Sequence, residues 1–338
     1  MIKIGIIGAG RIGKLHTENI CFNVPKAMVT AIADPFMSDE IIAWAKNLGI
    51  TQCYKDHRKI FEDKEIGAIL ICSPTNTHAP ISLEAIEASK HIFCEKPVDL
   101  TIDKIIEIIK ALEGTSLKYQ VGFNRRFDHN FSAIRNAVEN GKVGDPHILK
   151  ITSRDPAPPP IEYVKASGGL FLDMTIHDFD MARYLVNSDV EEVYVRADVL
   201  IDGEIGKAGD VDTALISMKM ENGTLAVIDN SRKATYGYDQ RAEVFGSKGM
   251  VSTSHDLSST AVFSNEEGVT GEKPLYFFLE RYIDSFKAEM NAFVNAIIND
   301  SPVPVSVYDG LKSVVIGVAA KKSLKEGRPV KISEIPID

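Results

Sequence analysis

Three residues of this chain, Lys96, Asp173 and His177, have the types and spacing that proton transfer requires. A histidine has a pKa near working pH and therefore suits a general base. An aspartate four residues before it lies one helical turn away, on the same face, and can orient the imidazole. A lysine can donate to an oxygen on which negative charge develops. Together these groups suit the oxidation of an alcohol by hydride transfer, if a nicotinamide lies against the carbon.

The sequence around the aspartate and the histidine predicts a helix over residues 170–185 with several apolar packing positions. A polar pair in such a helix has three interpretations. It can be a buried hydrogen bond that only satisfies both partners, a catalytic pair, or part of a metal site with Asp178 and Asp180. The carboxylates of Asp178 and Asp180 point to other faces of the helix, and we therefore expect no metal.

The start of the chain has the pattern of a dinucleotide-binding turn. An apolar run begins at Ile2, stops at Gly8-Ala9-Gly10, and is followed by a helical pattern from about Arg11. Gly8 makes the turn, Gly10 allows the backbone to approach a pyrophosphate, and Gly13 allows the helix to lie close to the strand. The pyrophosphate would bind the free N–H groups at the start of that helix. The alternative is an ordinary strand-to-helix crossover.

An acid closes the second apolar run and predicts which dinucleotide is bound. Asp34 follows residues 29–33. A carboxylate at this position can accept hydrogen bonds from the hydroxyls of the adenosine ribose, and it would repel a 2′-phosphate, so we expect NAD rather than NADP. The alternative is that Asp34 only caps the turn before Pro35.

Polar residues also follow two later apolar runs, at strand ends where open α/β sheets bind their ligands. Asn76 and His78 follow the run 68–72, and they either touch the cofactor or lie beside Thr77, which would then cap a helix over 80–88. Lys96 follows the run 91–94 and is fixed by Pro97, with which it forms a candidate cis bond. The position favours a lysine directed at the cofactor over a solvated surface lysine.

The elements that position these residues change in character near residue 123. Strand and helix patterns alternate up to residue 122, which predicts a Rossmann domain over 1–122. Residues 123–338 show period-two runs, an Asn222-Gly223 hairpin signal and late helices over 282–298 and 309–324. They predict an α+β domain with a large open, mainly antiparallel sheet, covered by helices on one face and free for oligomer contacts on the other. The late helices can pack on either domain.

The composition limits the classes of function. The chain has 338 residues, 44% of them hydrophobic, and a net charge of −9, which argues against binding to nucleic acid or to anionic membranes. No apolar run is long enough to span a membrane, and we expect no signal peptide. None of the four cysteines is arranged as C-x-x-C, so we expect free thiols in the cytoplasm.

These motifs together resemble the glucose–fructose oxidoreductase / inositol dehydrogenase / MocA family over nearly the whole chain, and within it the members that act on inositols. The resemblance rests on six stretches of this sequence: residues 8–13, 94–97, 121–128, 153–156, 168–177 and 236–239. It implies oxidation of myo-inositol to its 2-keto product with NAD, catalysed by Lys96, Asp173 and His177, usually in a tetramer.

The resemblance also implies two sets of binding residues. Those expected to bind the cofactor are Gly8, Gly10, Arg11, Ile12, Gly13, Asp34, Ser73, Thr75, Asn76, His78, Glu95, Lys96 and Arg125. Those expected to bind the polyol are Lys96, Arg126, Asp155, Asp173, His177, Tyr236 and Tyr238. A cyclic polyol is all hydroxyl groups, and its pocket needs charged and amide-like partners.

One departure from the family bears on the substrate. Some inositol dehydrogenases have an imidazole and an amide near the positions of Ser153 and Asp155, so another inositol isomer, scyllo or D-chiro, or an aldose is the alternative substrate. A regulator that senses NAD(H) or a sugar on the same fold is the alternative of another class. Such a protein has no need to keep Lys96, Asp173 and His177 together.

Overall fold

A computed structural model describes residues 1–337 of the chain, which divide into two compact units. Unit 1 contains Met1–Asn124 and Asp284–Val314, and unit 2 contains Arg125–Ile283 and Val315–Pro336. Within residues 1–337, no helix combines the length and the apolar character that crossing a bilayer requires. The last third of the chain thus contributes to both units.

The strands are β1 (Ile2–Ile7), β2 (Ala27–Ala33), β3 (Gln52–Tyr54), β4 (Ala68–Ile71), β5 (His91–Cys94), β6 (Tyr119–Val121), β7 (Pro146–Arg154), β8 (Val190–Asp198), β9 (Thr213–Met220), β10 (Leu225–Ser231), β11 (Asp239–Gly246), β12 (Gly249–Ser252), β13 (Val262–Asn265), β14 (Gly268–Gly271) and β15 (Val330–Lys331).

The helices are α1 (Arg11–Asn23), α2 (Asp39–Asn47), α3 (Arg58–Glu62), α4 (His78–Glu87), α5 (Ile102–Leu112), α6 (His129–Glu139), α7 (Ile161–Ser167), α8 (Gly169–Asp173), α9 (Thr175–Val186), α10 (Gly203–Lys207), α11 (Phe278–Arg281), α12 (Ile283–Ile298) and α13 (Val307–Glu326). Short 3₁₀ turns cover Thr75–Thr77, Asn124–Phe127 and Ile332–Glu334.

Unit 1 is a parallel sheet in the order β3-β2-β1-β4-β5-β6. The order reverses beside β1, and the carboxyl ends of β1, β2, β4 and β5 therefore meet at one edge, where α/β sheets bind ligands. The strands are apolar on both faces because helices cover both, and Ile4, Ile6 and Leu70 are fully buried. This confirms the predicted Rossmann fold.

The first of the late helices, α12, packs in unit 1. Its residues Met290, Phe293 and Val294 are buried in the same hydrophobic core as Ile4 and Phe93, within unit 1. Nothing in the local pattern of α12 distinguished this sheet from the second one, because both offer apolar surface to an amphipathic helix.

Unit 2 contains a sheet in the order β12-β11-β7-β10-β9-β8-β15. Its pairs are antiparallel except β7 with β10, which run parallel from Ile148↔Leu225 to Arg154↔Ser231. The predicted mainly antiparallel sheet is thus confirmed, with the β7–β10 pair as its parallel exception. The Asn222-Gly223 hairpin joins β9 to β10 as predicted, with Gly223 at φ +89°.

The helix predicted over residues 170–185 is two helices, and here the prediction is wrong. Helix α8 ends at Asp173, Met174 lies outside regular helix, and α9 begins at Thr175. The His177 N–H donates to the Met174 carbonyl, three residues back, at 3.3 Å. Apolar periodicity does not register such a break, because Phe171, Met174 and Phe179 remain buried on both sides of it.

Candidate active site

The turn at residues 8–10 has the geometry that a dinucleotide pyrophosphate requires. Gly8 has φ +99°, and a Cβ there would lie 2.7 Å from the Cys72 carbonyl. A Cβ on Gly13 would lie 2.0 Å from the Gly8 oxygen, so α1 packs directly on the turn. A Cβ on Gly10 would meet no protein atom within 4 Å, which leaves room for a ligand. The residues therefore fit the group that the motif predicts.

The start of α1 is open to an anion. Its N-cap is Gly10, which provides no side-chain hydrogen bond, and its first turn contains no acidic residue. The first N–H groups of a helix have no partner inside it and carry partial positive charge. Since this thirteen-residue helix has no cap of its own, its N-terminus is suited to a phosphate group.

Asp34 braces this turn and also caps the next one. One carboxylate oxygen accepts the Ala9 N–H at 2.7 Å, and the other accepts the Phe36 N–H at 2.8 Å. Asp34 thus caps the turn before Pro35, as the alternative interpretation predicts. Each oxygen retains a second lone pair, so the carboxylate can still accept from a ribose hydroxyl.

The segment after β4 is held by its own side chains. The Ser73 and Thr77 hydroxyl oxygens lie 2.6 Å apart, and Thr77 donates to the Pro74 carbonyl at 2.7 Å. Thr77 makes no side-chain capping bond to α4, which begins at His78, so the capping alternative is wrong. Thr75 and Asn76 lie in the short 3₁₀ turn that precedes α4. Their contact with a cofactor stays a prediction.

His78 joins two strand ends. Its ring nitrogens lie 2.7 Å from the Pro97 carbonyl oxygen and 2.8 Å from the Ser73 carbonyl oxygen. Burial alone would lower the pKa of His78, but the Cys94 thiol and the two carbonyls outweigh it and raise the pKa to about 9. The ring can donate from both nitrogens and ties the segment after β4 to the one after β5.

The segment after β5 contains the predicted catalytic lysine. The Glu95 side chain is largely buried, and one of its oxygens accepts the Lys96 N–H at 3.3 Å. Lys96 is partly buried, and its bond to Pro97 is cis. This environment is not that of a fully solvated surface lysine.

In unit 2, two of the predicted polyol-binding acids are joined by an arginine that the sequence did not point to. The Asp173 carboxylate accepts the Tyr163 hydroxyl at 2.9 Å and the Arg232 Nη2 at 3.2 Å. Arg232 Nη1 lies 3.4 Å from an Asp155 carboxylate oxygen. Arg232 is 3% exposed and therefore forms a buried bridge between the two acids.

This bridge leaves Asp155 with an unusual acidity. Burial and the nearby Asp173 raise the pKa of Asp155, Arg232 lowers it, and the net result is a pKa of about 6. For Arg232, loss of solvation lowers the pKa, but the two carboxylates outweigh it and raise the pKa. The cluster thus offers carboxylate acceptors and a guanidinium donor at one place, which is the chemistry that vicinal hydroxyl groups need.

The two arginines after unit 1 are each paired with an aspartate of α9. Arg125 Nη1 donates to Asp178 at 2.6 Å, and Arg126 forms a two-pronged pair with Asp180 at 2.9 and 2.6 Å. The Asn230 amide also donates to Asp178 at 2.9 Å. The carboxylates of the metal alternative are therefore engaged by arginines, and that interpretation has no support from the geometry.

The two predicted tyrosines lie in different environments. Tyr238 is 6% exposed, and its hydroxyl accepts from Arg125 at 3.4 Å. Tyr236 is 39% exposed, donates to Asp239 and accepts from Arg154 at 3.1 Å. The fold thus brings Tyr238 next to Arg125 and leaves Tyr236 more exposed, beside Arg154 and Asp239.

Within unit 2 the structure joins Asp155 to Asp173, and Arg125 to Tyr238. Sequence reasoning missed Tyr163 and Arg232, which hold Asp173. The signal available for Arg232 was weak, because an arginine just beyond the end of a strand is usually solvated. Its partners lie 59 and 77 positions away along the chain, so only the fold brings them together.

Two family models match the chain. Residues 2–123 match "Oxidoreductase family, NAD-binding Rossmann fold", and residues 131–252 match "GFO/IDH/MocA C-terminal domain". Together they cover more than half of the sequence.

Individual relatives match over almost their full length. The chain is 48% identical to myo-inositol 2-dehydrogenase of Thermotoga maritima, over 99% of each chain. It is 41% identical to inositol 2-dehydrogenase of Rhizobium meliloti, over 98% of this chain and 99% of the relative. The structure of scyllo-inositol dehydrogenase from Lactobacillus casei, with bound NAD(H) and scyllo-inositol, matches with a TM-score of 0.90 at 32% identity, over 98% of this chain and 99% of that one.

Proposed function

This chain belongs to the GFO/IDH/MocA family of oxidoreductases, and we propose that it oxidises myo-inositol to 2-keto-myo-inositol with NAD as the hydride acceptor. The observation that carries the proposal is the buried Asp155–Arg232–Asp173 cluster, in a chain whose full-length relatives bear the names of inositol dehydrogenases. Charged acceptors and donors held in fixed positions suit a substrate that consists of hydroxyl groups.

The reaction removes a proton and a hydride from one CH–OH group. NAD supplies the nicotinamide carbon that accepts the hydride. We assign the hydroxyl proton to His177, since a neutral imidazole is the strongest base available near neutral pH. Lys96 donates to the same oxygen and stabilises the negative charge that develops as the proton leaves.

Asp173 acts on the substrate and on the base. Its carboxylate is fixed by Tyr163 and Arg232, at 2.9 and 3.2 Å, so it is presented in one orientation. A fixed carboxylate can hold a substrate hydroxyl and favour the imidazole orientation that accepts a proton. Arg126, Asp155, Tyr236 and Tyr238 are proposed to bind the remaining hydroxyls.

The cofactor is proposed to be bound at its pyrophosphate and at its adenosine ribose. Gly8, Gly10 and Gly13 shape the turn, and the N–H groups at Arg11 and Ile12 begin the uncapped helix. Asp34 is proposed to accept from the ribose hydroxyls and to disfavour NADP. Ser73, Thr75, Asn76, His78, Glu95, Lys96 and Arg125 complete the proposed set.

A second candidate is oxidation of another inositol isomer, such as scyllo-inositol. It is favoured by the 32% identical relative that was crystallised with scyllo-inositol. Ser153 and Asp155 are the positions proposed to decide which isomer binds. The reason is that a hydroxyl and a carboxylate form different hydrogen bonds from the imidazole and the amide that some inositol dehydrogenases have there.

The test is NADH formation with NAD and a panel of myo-inositol, scyllo-inositol, D-chiro-inositol, glucose and xylose, with NADP in parallel. We expect turnover with myo-inositol and NAD. Turnover with another member of the panel alone would move the substrate and keep the reaction. No turnover with any of them, in a protein that binds NADH, would contradict the proposed function.

Two further parts of the proposal concern the enzyme in the cell. We propose a homotetramer assembled through the open face of the second sheet, which exposes apolar side chains. We also propose a cytoplasmic location, which the four free cysteines support, because thiols stay reduced there.

A further inference from the structure

A buried polar cluster in unit 1 lies directly behind the segment that contains Lys96. His16 of α1 is fully buried, and its Nε2 lies 2.7 Å from Oε1 of Glu95. The other oxygen of Glu95 accepts the Lys96 N–H at 3.3 Å. Glu289 of α12 is also fully buried, and its Oε1 lies 4.0 Å from the same His16 nitrogen.

The Glu289 side chain is the unusual member of this cluster. Among residues 1–337, neither of its carboxylate oxygens has a hydrogen-bond partner. Its backbone carbonyl, in contrast, accepts the Gln120 side-chain amide at 3.0 Å, so the helix itself is fixed at this point. A buried carboxylate without a partner is very costly, and such a group stays protonated instead.

The surroundings of Glu289 favour the neutral acid. Burial raises the pKa of Glu289 well above its ordinary value, and the nearby Glu95 carboxylate raises it further. The titratable groups that face it from neighbouring elements are His16, Glu95 and Cys72. Burial, and then Glu95, raises the pKa of the Cys72 thiol well above its usual range, so it adds no charge.

His16 is held in place by ring contacts. Its imidazole packs edge-on against Phe93 and Phe286, with ring centroids 5.2 and 5.6 Å away. Because a carboxylate only accepts hydrogen bonds, the Nε2 that faces Glu95 carries the hydrogen. The ring therefore has one orientation, and with it one direction for its donor.

Glu95 is confined from a further side by Gly122. A Cβ on Gly122 would lie 3.0 Å from Oε2 of Glu95, which is closer than side-chain carbons normally approach. The carboxylate thus lies against a bare backbone, between the His16 donor and the Lys96 N–H. Its position leaves little freedom to the backbone that follows β5.

We propose that His16 and Glu289 are positioning residues for the reaction: the His16 donor, with a neutral Glu289 beside it, holds the Glu95 carboxylate, and through it the backbone at Lys96. A neutral and polar group is needed at 289: a second carboxylate would repel Glu95, and an apolar side chain would remove the polar group that lies 4.0 Å from the buried His16 nitrogen. The inference rests on the proposed function, in which Lys96 donates to the reacting oxygen. A displacement of about 1 Å at such a donor can lower the rate about a hundredfold.

The test compares Glu289→Leu with Glu289→Gln, which has the same shape and no charge. We expect Glu289→Leu to lower kcat about tenfold to a hundredfold, and Glu289→Gln to stay within about threefold of wild type. The matched control is Asp284→Asn, which removes an exposed acid from the same helix. If Glu289→Leu, assayed below its unfolding temperature, had the kcat of wild type, the cluster would have only a packing role and the proposal would be overturned.

Gly122→Ala provides a second route if Glu289→Leu does not fold. The added methyl group displaces Glu95 directly, and we expect the same loss of kcat. A Gly122→Ala enzyme with wild-type kcat would contradict the role of Glu95 in positioning Lys96.

Two readouts do not depend on turnover and therefore separate this inference from the proposed function. Infrared difference spectra between wild type and Glu289→Gln at neutral pH should contain the carbonyl band of a protonated carboxylic acid. Glu289→Gln should also raise the melting temperature increasingly with pH above about 5. The reason is that the unfolded chain loses this proton near pH 4.3 while the folded protein keeps it, so the free energy of unfolding of wild type falls as pH rises. A carboxylate band, or a pH-independent difference, would mean that Glu289 is charged and would overturn the proposal.

Discussion

His177 is the residue on which the proposed proton transfer depends. The His177→Ala substitution removes the base and leaves Asp173 held by Tyr163 and Arg232. We expect kcat to fall by a factor of about 10²–10⁴, the usual contribution of a general base. The measurement is the steady-state rate of NADH formation.

The control for this variant is His129→Ala, which removes an exposed histidine of the same unit. We expect its kcat to stay within about twofold of wild type. If His177→Ala retained a third or more of the wild-type kcat, His177 would have to be removed from the mechanism.

Asp155 gives the substrate site a pH dependence of its own. Since burial raises its pKa to about 6, the side chain is a carboxylate at pH 8 and becomes protonated as the pH falls through 6. A protonated acid accepts fewer hydrogen bonds from substrate hydroxyls, so we expect the KM for the polyol to rise below pH 6. In Asp155→Asn, which cannot titrate, the KM should be raised already at pH 8 and should not change around pH 6. A pH-dependent KM that is identical in wild type and Asp155→Asn would assign the effect to another group.

At the scale of elements, substitutions in the glycine turn and in α1 distinguish an effect on cofactor binding from an effect on folding. A Cβ on Gly10 meets no protein atom, whereas a Cβ on Gly13 collides with the Gly8 carbonyl at 2.0 Å. We therefore expect Gly10→Ala to raise the Kd for NADH about tenfold with an unchanged melting temperature, and Gly13→Ala to impair both. Fluorescence titration with NADH and thermal unfolding provide the two measurements.

Gly67→Ala is the matched control for these variants, because its Cβ also enters open space, away from the turn. It should bind NADH as wild type does. A Gly10→Ala protein with wild-type affinity would mean that no ligand approaches this part of the backbone, and the proposed pyrophosphate position would be wrong.

The elements that the sequence predicted well are those whose side chains follow one period. Strand β1 has the expected ends and helix α1 begins where expected, since the apolar run from Ile2 is bounded by Gly8 and the helical pattern starts at Arg11. The break at Met174 escaped because its neighbours stay apolar on both sides. The parallel pairing of β7 with β10 escaped because alternation predicts a strand and not its neighbour.

The candidate site divides in the same way. The positions of Gly8, Asp34 and Lys96 at strand ends could be predicted, because sheets of this fold class bind their ligands there, and their roles stay predictions. The surroundings of Arg232 and Glu289 could not be predicted, since the residues around them lie far away along the chain. Tyr163 lies only ten residues before Asp173, but the two belong to different helices, α7 and α8, so no helical period pairs them. Glu289 in particular lies in an amphipathic helix, where an acid is normally solvated, and only the packing of α12 into unit 1 buries it.

At the scale of the whole molecule, the open face of the second sheet contains an apolar row that crosses four strands. Leu225, Ile148, Phe245 and Met250 are cross-strand neighbours in β10, β7, β11 and β12, in that order. Each is between 39% and 58% exposed. Ion pairs flank the row, among them Lys150 with Glu243 at 3.0 Å. An apolar strip with a polar border is typical of a surface that another subunit covers.

The proposed tetramer therefore predicts what a charge in this row does. Phe245→Asp places a carboxylate among apolar side chains of the interface, where it loses solvation without gaining a partner, so assembly weakens. We expect light scattering after size exclusion to give the mass of four chains for wild type and of fewer chains for Phe245→Asp. Phe22→Asp, at an equally apolar but isolated site of α1 that is 73% exposed, should leave the mass unchanged. A wild-type protein with the mass of one chain would contradict the proposed tetramer. A Phe245→Asp protein that assembles as wild type does would mean that the subunit contacts lie elsewhere.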